Sequence, residues 1–160
     1  MEIQKLEQKH YPDVARIYQQ AIVAGNITLA TKTSSWKDWD KDHLENMRFV
    51  AIENNTIIGW VALSPVLQRT GYHGVTELSI YIDQDHQGKG IGKVLMQHII
   101  DTSENAGIWT IMSFIFPEND KSILLHKKFG FKLLGTQQKA AQLNGIWMDN
   151  CILERRSALI

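Results

Sequence analysis

Cysteine is nearly absent from this chain of 160 residues: Cys151 stands alone, so no internal disulfide can form and the thiol reads as core packing. An excess of charge of either sign is absent too. Seventeen Lys and Arg offset seventeen Asp and Glu, which removes the bulk electrostatic attraction that would favour nucleic acid or an anionic membrane as partner. No apolar run approaches the roughly 20 residues that cross a bilayer, so no membrane insertion is expected. The opening Met1-Glu2-Ile3-Gln4 lacks the basic and apolar regions of a signal peptide, and a cytoplasmic protein is expected. No cluster of His, Cys and carboxylates has ligand spacing, so no metal is expected. Repeats, low-complexity segments and linkers are missing as well. With 44% hydrophobic residues the chain can bury one substantial core, and residues 1–160 are expected to form a single domain.

What is present alternates between strand and helix patterns. Ile3 and Leu6 fit a short first strand, and Pro12 suits the first turn of a helix that Gly25 ends. Along that helix Val14, Ile17, Tyr18, Ala21 and Ile22 recur at helical spacing. Ser34 or Ser35 can cap a second helix through Trp36 and Trp39. Phe49–Ile52 and Ile57–Leu63 around Asn54-Asn55 predict a hairpin, and Val75–Ile82 a third strand. A helix from Ile91 to about Ala106-Gly107 is expected to turn Ile91, Val94, Leu95, His98, Ile99 and Thr102 to one face. Strand Trp109–Phe116, helix Lys121–Phe129 and strands near Phe131–Thr136 and Trp147–Leu153 complete an α/β order.

Between strand and helix lies Gln87-Gly88-Lys89-Gly90-Ile91-Gly92. A glycine-rich turn there exposes unpaired N–H groups at the positive end of a helix, where a pyrophosphate can sit. No acid follows about 20 residues later to hold a ribose, so the string is not a dinucleotide fingerprint. Without a G-K-[ST] ending it is not a P-loop either.

The string resembles the Q/R-x-x-G-x-G/A pyrophosphate loop of the GCN5-related N-acetyltransferases (GNAT). Glu77-Leu78-Ser79-Ile80-Tyr81-Ile82 before it matches that superfamily, as do Asn119-Asp120-Lys121-Ser122 and Leu125-His126-Lys127-Lys128-Phe129-Gly130-Phe131 after it. Ile17-Tyr18, Ser35-Trp36, Gly59-Trp60, Pro65 with Arg69 and Tyr72, Ile108-Trp109-Thr110, Ile115-Phe116-Pro117-Glu118-Asn119 and Gly145-Ile146-Trp147-Met148-Asp149 resemble the branch acting on phosphinothricin, methionine sulfone and methionine sulfoximine. The resemblance implies an α/β (α+β) GNAT fold, a mixed central sheet of about six to seven strands flanked by about four helices. It also implies acetyl-CoA as co-substrate, a small-molecule amine as acceptor, and a homodimer.

On the cofactor side, the N–H groups of Gly88, Lys89, Gly90, Ile91, Gly92 and Lys93, with Gln87 leading in, supply donors to a pyrophosphate where bulky side chains would block it. Two roles are open to Lys89 and Lys93: charge for the phosphates, or solvated residues at a helix start. The resemblance has the pantetheine arm pair with strand atoms of Ile80, Tyr81 and Ile82. It also has Asn119 and Ser122 touch that arm, and helix capping is their other reading.

Transfer to an amine requires the amine to lose a proton before its lone pair can attack a thioester. Alternation puts Glu77, Ser79 and Tyr81 on one strand face and Leu78, Ile80 and Ile82 on the other. An acid in an apolar strand is costly without a role, which makes Glu77 the expected base. Many superfamily members carry a tyrosine where this chain has His126, and two roles are open to that histidine: acid for the departing thiolate, or packing residue; Tyr81 and His73 are lesser candidates for the acid. An N–H of Ile80 or Ile82 is expected to meet the thioester oxygen.

For the acceptor, a guanidinium recognises the carboxylate of an amino acid best. Arg69, with Thr70 and Tyr72, occupies the matching family loop. Many relatives place an aromatic and an acid where this chain has Thr28-Leu29-Ala30-Thr31, so Leu29 is expected in an altered pocket floor. The five tryptophans are read as core more than as pocket wall. An N-acetyltransferase acting by direct transfer in a ternary complex is expected. A protein or peptide N-terminal acetyltransferase and a non-catalytic CoA-binding module remain open beside it.

Overall fold

Asn54 and Asn55, both at positive φ (49° and 60°), make the tight turn between β2 (Arg48–Glu53) and β3 (Thr56–Pro65) and fix their register. The computed structural model describes residues 1–160. In it this hairpin sits in a seven-stranded sheet of order β1-β2-β3-β4-β5-β7-β6. The remaining strands are β1 (Glu2–Lys5), β4 (Val75–Ile82), β5 (Thr110–Ile115), β6 (Lys132–Leu143) and β7 (Ile146–Arg156), and the helices are α1 (Tyr11–Ala24), α2 (Trp36–Asp42), α3 (Ile91–Asn105) and α4 (Asp120–Lys128). Every neighbouring pair is antiparallel except β4 with β5. The expected mixed sheet with four helices is therefore what forms. No helix is long and apolar enough to cross a membrane.

Local chemistry explains the helix ends. Gly25 at φ 74° closes α1, its N–H bonding Ile22 O. The Ser35 side chain accepts the Asp38 N–H at 3.2 Å and starts α2. Asn119 does the same for α4 through the Ser122 N–H, also at 3.2 Å.

The sheet separates two apolar layers. On one face α3 and α4 cover a cluster that includes Ile58, Val61, Leu63, Leu95, Ile99 and Leu153, with Ile80 and Ile82 packed against it. On the other, α1 and α2 cover Leu6, Val14, Ile17, Trp39, Val50 and Trp60, with Tyr18 and Tyr81 at the margin. Alternation along β4 is thus as expected. Cys151 is buried in the first cluster. Of the tryptophans, Trp39 and Trp60 are core, whereas Trp147 is exposed.

Two expectations change. The core face of α3 is Ile91, Leu95, Met96, Ile99, Ile100 and Ser103, whereas Val94 is 42% exposed. At about 100° per residue, Met96 and Ile100 share the Leu95–Ile99 flank and rotate Val94 outward. The last hairpin is also longer than expected, reaching Leu143 and starting again at Ile146 across Asn144-Gly145 (φ 49° and 82°). Over residues 146–150 of β7 and their β6 partners the strands pair only with each other, and a register shift between Gln137 and Ala141 accompanies Lys139 at φ 50°. With no sheet face to bury, that stretch carries no apolar alternation.

Candidate active site

The one parallel ladder in the sheet is short. β4 and β5 pair from Val75↔Thr110 to Glu77↔Met112 and then part. β4 stays on β3 as far as Gly59↔Ile82, and β5 stays on β7 as far as Ile115↔Cys151. The edges that separate leave a wedge with unpaired backbone groups on the β4 side, which are costly unless a ligand or water meets them. This wedge opens into a cleft of about 1040 Å³ between Ser79–Ile82 of β4, Ser113–Ile115 of β5, the glycine loop, α1 and α4.

At one end of the cleft α3 begins without a side-chain cap, at Gly90 with φ 85°. The N–H groups of Lys93 and Val94 turn back to Gly90 O, at 3.0 and 3.3 Å. Those of Gly88, Lys89, Gly90, Ile91 and Gly92 have no partner in the protein. Gly88 (φ 77°) and Gly90 occupy the left-handed region, and a Cβ on either would meet no protein atom within 4 Å. Glycine is thus favoured by the backbone, and the space outside it is open. Free donors at a positive helix end form an anion cradle. Lys93 lines the cleft, and Lys89 is exposed beside it.

Along the opposite wall, α4 contributes Asn119, Ser122, Leu125 and His126. Asn119 is the cap, so its Oδ1 is engaged, whereas the Ser122 side chain caps nothing. His126 is 1% exposed, and its Nδ1 donates to Ser122 O at 2.7 Å. Nε2 is left as a buried lone pair without a partner. Burial lowers the pKa of this ring, partly offset by the Nδ1 bond, so it is neutral at pH 7. Ser113 Oγ on β5 is buried and unpartnered as well. Buried polar atoms without partners are rare, and here three, with His86 Nδ1 the third, border one cleft. They fit an elongated ligand carrying phosphate at one end and hydrogen-bonding groups along its length.

Glu77 stands where the ladder ends, on the face opposite α3, and makes no ion pair or hydrogen bond through its side chain. Burial raises its carboxyl above the ordinary glutamate value. A base with a raised pKa takes a proton more readily near neutral pH. Two residues on, Tyr81 lies between Tyr18 (ring centroids 5.0 Å apart) and Trp60 (4.9 Å). Burial first, and then Tyr18 beside it, push its phenol up, so Tyr81 stays protonated. The Tyr18 hydroxyl meets Thr28 Oγ1 at 2.9 Å, and Thr28 Oγ1 also accepts the Ala30 N–H. Glu77 therefore shares its strand face with Tyr81, which packs against Tyr18 of α1, itself tied to Thr28.

The expected site residues divide between places. Ile80, Tyr81, Ile82, Gln87, Gly88, Gly90, Ile91, Gly92, Lys93, Asn119, Ser122 and His126 meet around the cleft. Arg69, Thr70 and Tyr72 lie in the β3–β4 loop, exposed, at the Glu77 end of β4. Their only mutual tie there is Tyr72 N–H to Arg69 O at 3.1 Å. Leu29 is 40% exposed and does not line the cleft; Thr28 makes the contact in its segment. His73 packs edge-on against Trp109 at 4.6 Å, away from the cleft. Ser113 is a site residue that the sequence reading does not single out; its signal is the one hydroxyl within the apolar run Ile111–Phe116.

The acetyltransferase (GNAT) family model matches residues 11–131. YwnH of Bacillus subtilis, named as a candidate phosphinothricin acetyltransferase, is 31% identical over 97% of this chain and 98% of its own length. The L-methionine sulfoximine/L-methionine sulfone acetyltransferase of Pseudomonas aeruginosa is 30% identical over 58% of this chain and 54% of its own. Among solved structures, a phosphinothricin acetyltransferase from Sinorhizobium meliloti in complex with acetyl-CoA superposes with a TM-score of 0.87. That structure is 23% identical and is matched over 97% of this chain and 87% of that one, which establishes likeness of fold.

Proposed function

Since this chain belongs to the acetyltransferase (GNAT) family, we propose that it is an acetyl-CoA-dependent N-acetyltransferase acting on the α-amine of a small amino-acid-like acceptor of the phosphinothricin, methionine sulfone or methionine sulfoximine type. The observation that carries this reading is the parting of β4 and β5 directly after Glu77↔Met112. A desolvated carboxylate thereby stands at the apex of a wedge whose far end is an anion cradle. No metal-ligating group of three His, Cys, Asp or Glu is found.

Bound acetyl-CoA supplies the thioester carbon that the amine attacks. The free N–H groups of Gly88–Gly92 hold the pyrophosphate, and the unpaired β4 edge at Ile80–Ile82 holds the pantetheine arm. The N–H of Ile80 or Ile82 polarises the carbonyl oxygen. Ser122, Asn119 and Ser113 line the arm's other side. Glu77 takes the ammonium proton, directly or through a water, and its raised pKa suits it to do so. His126 serves the departing sulfur. Its Nδ1 being engaged, the Nε2 lone pair accepts the second proton of the attacking amine as the tetrahedral intermediate forms and passes it to the sulfur as the C–S bond breaks, and the lowered pKa favours that release.

On the acceptor side Tyr18 and Tyr81, backed by the buried Trp60, give an apolar wall. Arg69 and Tyr72, on the loop that leads into Glu77, take the acceptor carboxylate; direct transfer in a ternary complex follows from the two sides meeting at Glu77. We also propose a homodimer. The protruding end of the β6–β7 hairpin leaves Ile146 66% and Trp147 54% exposed, and a two-stranded ribbon is marginal without something to pack on.

The test is acetyl-CoA-dependent thiol release with phosphinothricin, methionine sulfone, methionine sulfoximine, ordinary amino acids and short peptides as acceptors. Turnover on the first three supports the reading. Turnover confined to peptides would reassign the chain to protein acetylation, and binding of acetyl-CoA without turnover would make it a binding module.

A further inference from the structure

Asp83 closes β4 and is 4% exposed. Its Oδ2 receives the Arg16 guanidinium and its Oδ1 the Asp85 N–H at 2.9 Å. Its own N–H donates to Ile58 O at 3.0 Å, and the other Arg16 nitrogen, Nη2, donates to Ile57 O at 3.2 Å. One turn further along α1, Gln20 Oε1 accepts the N–H of Gln84 at 3.0 Å. Two side chains at i and i+4 on one helix thus grip two successive residues, and four residues later the chain reaches Gly88. The sheet asks for no carboxylate here, because the β3–β4 ladder is already complete at Ile82. A buried carboxylate that paired for stability alone gains little over apolar packing. A carboxylate held by the Arg16 guanidinium and the Asp85 N–H, with His86 Nδ1 3.5 Å from its Oδ1, does, however, set where a chain starts.

A cradle of free N–H groups binds phosphate only while the donors converge, and neither Gly88 nor Gly90 has a side chain to hold its backbone. We propose that Arg16 and Gln20 are positioning residues for the cofactor: by holding Asp83 and Gln84 they set the path of the pyrophosphate loop from α1. The proposal rests on the CoA reading given above. Removing the grip loosens the phosphate site while leaving the pantetheine groove, built on β4 and β5, as it was.

Calorimetric titration with CoA, and separately with pantetheine, which lacks the pyrophosphate, tests this on the full chain. For Asp83→Asn the Kd of CoA is expected to rise about tenfold, and for Gln20→Met several-fold, with pantetheine affinity changed by less than about twofold. Gln20→Met keeps the buried ion pair and so guards against loss of folding in the other variant. Equal weakening of CoA and pantetheine, or no change in either, would overturn the proposal and leave the grip a purely structural tie. A wild type that fails to bind CoA at all would instead overturn the cofactor reading on which it stands.

Discussion

Glu77 and Met112 are the last partners in the parallel ladder between β4 and β5. One residue further, the two strands no longer share hydrogen bonds. Glu77 therefore stands at the end of a structural seam, and burial without a cation partner raises its carboxyl, which suits it to the proposed role of base.

The acidic limb of kcat/KM reports that proton. A carboxyl raised by burial ionises above its ordinary value of 4.5, so activity is expected to rise with pH through a midpoint higher than 4.5. Glu77→Asp should retain a limb at reduced rate. A limb at or below 4.5 in the wild type would remove Glu77 as its source.

Gly90→Ala tests the cradle. At φ 85° an alanine is strained by about 1 kcal/mol, although its Cβ meets no protein atom. A modest fall in melting temperature is expected, together with a loss of CoA affinity of about tenfold or more as the Cβ enters the phosphate's space. Calorimetry and thermal melting measure the two separately, and unchanged CoA binding would contradict the assignment.

Half-buried His43 and buried His126 both have pKa values lowered by burial from 6.5. Folding favours their neutral forms, so the stability they contribute is complete above pH 6.5 and is lost as pH falls below it through the lowered folded values. Thermal midpoints are expected to be flat above about pH 7 and to drop toward pH 5. His126→Gln should lessen the drop. An equal slope in the variant would show that His126 does not titrate with unfolding.

Trp147→Glu tests the hairpin. Light scattering behind a sizing column is expected to show a dimer for the wild type and a monomer for the variant, since a charge in an apolar contact is costly. A wild-type monomer would leave the exposed Ile146 and Trp147 without that explanation.

Features ruled by local sterics were legible in the sequence. The glycine loop, the Asn54-Asn55 turn, the Gly25 stop and the alternation of Glu77 with Leu78 each depend on a few neighbouring residues. Features made by distant partners were not. Arg16 and Asp83 are 67 positions apart, and Tyr18 finds Thr28 only after the chain has turned back beyond Gly25. That Asn119 rather than Ser122 is the cap follows from which of the two starts α4, a boundary one residue from the expected one. Val94 fits the helical period as well as Met96 and Ile100 do, so spacing alone does not place it outside the core. The length of the β6–β7 hairpin escaped because a ribbon with no buried face leaves no periodic trace.

The central claim is that Glu77 takes the proton from a small amino-acid-like amine while the loop at Gly88–Gly92 holds the donor. Thiol release from acetyl-CoA with phosphinothricin, methionine sulfone and methionine sulfoximine, compared between wild type and Glu77→Gln, tests it most directly. Turnover on at least one of the three, reduced about 10²- to 10⁴-fold in the variant with CoA affinity retained, is the predicted result. Turnover that Glu77→Gln leaves intact would contradict it.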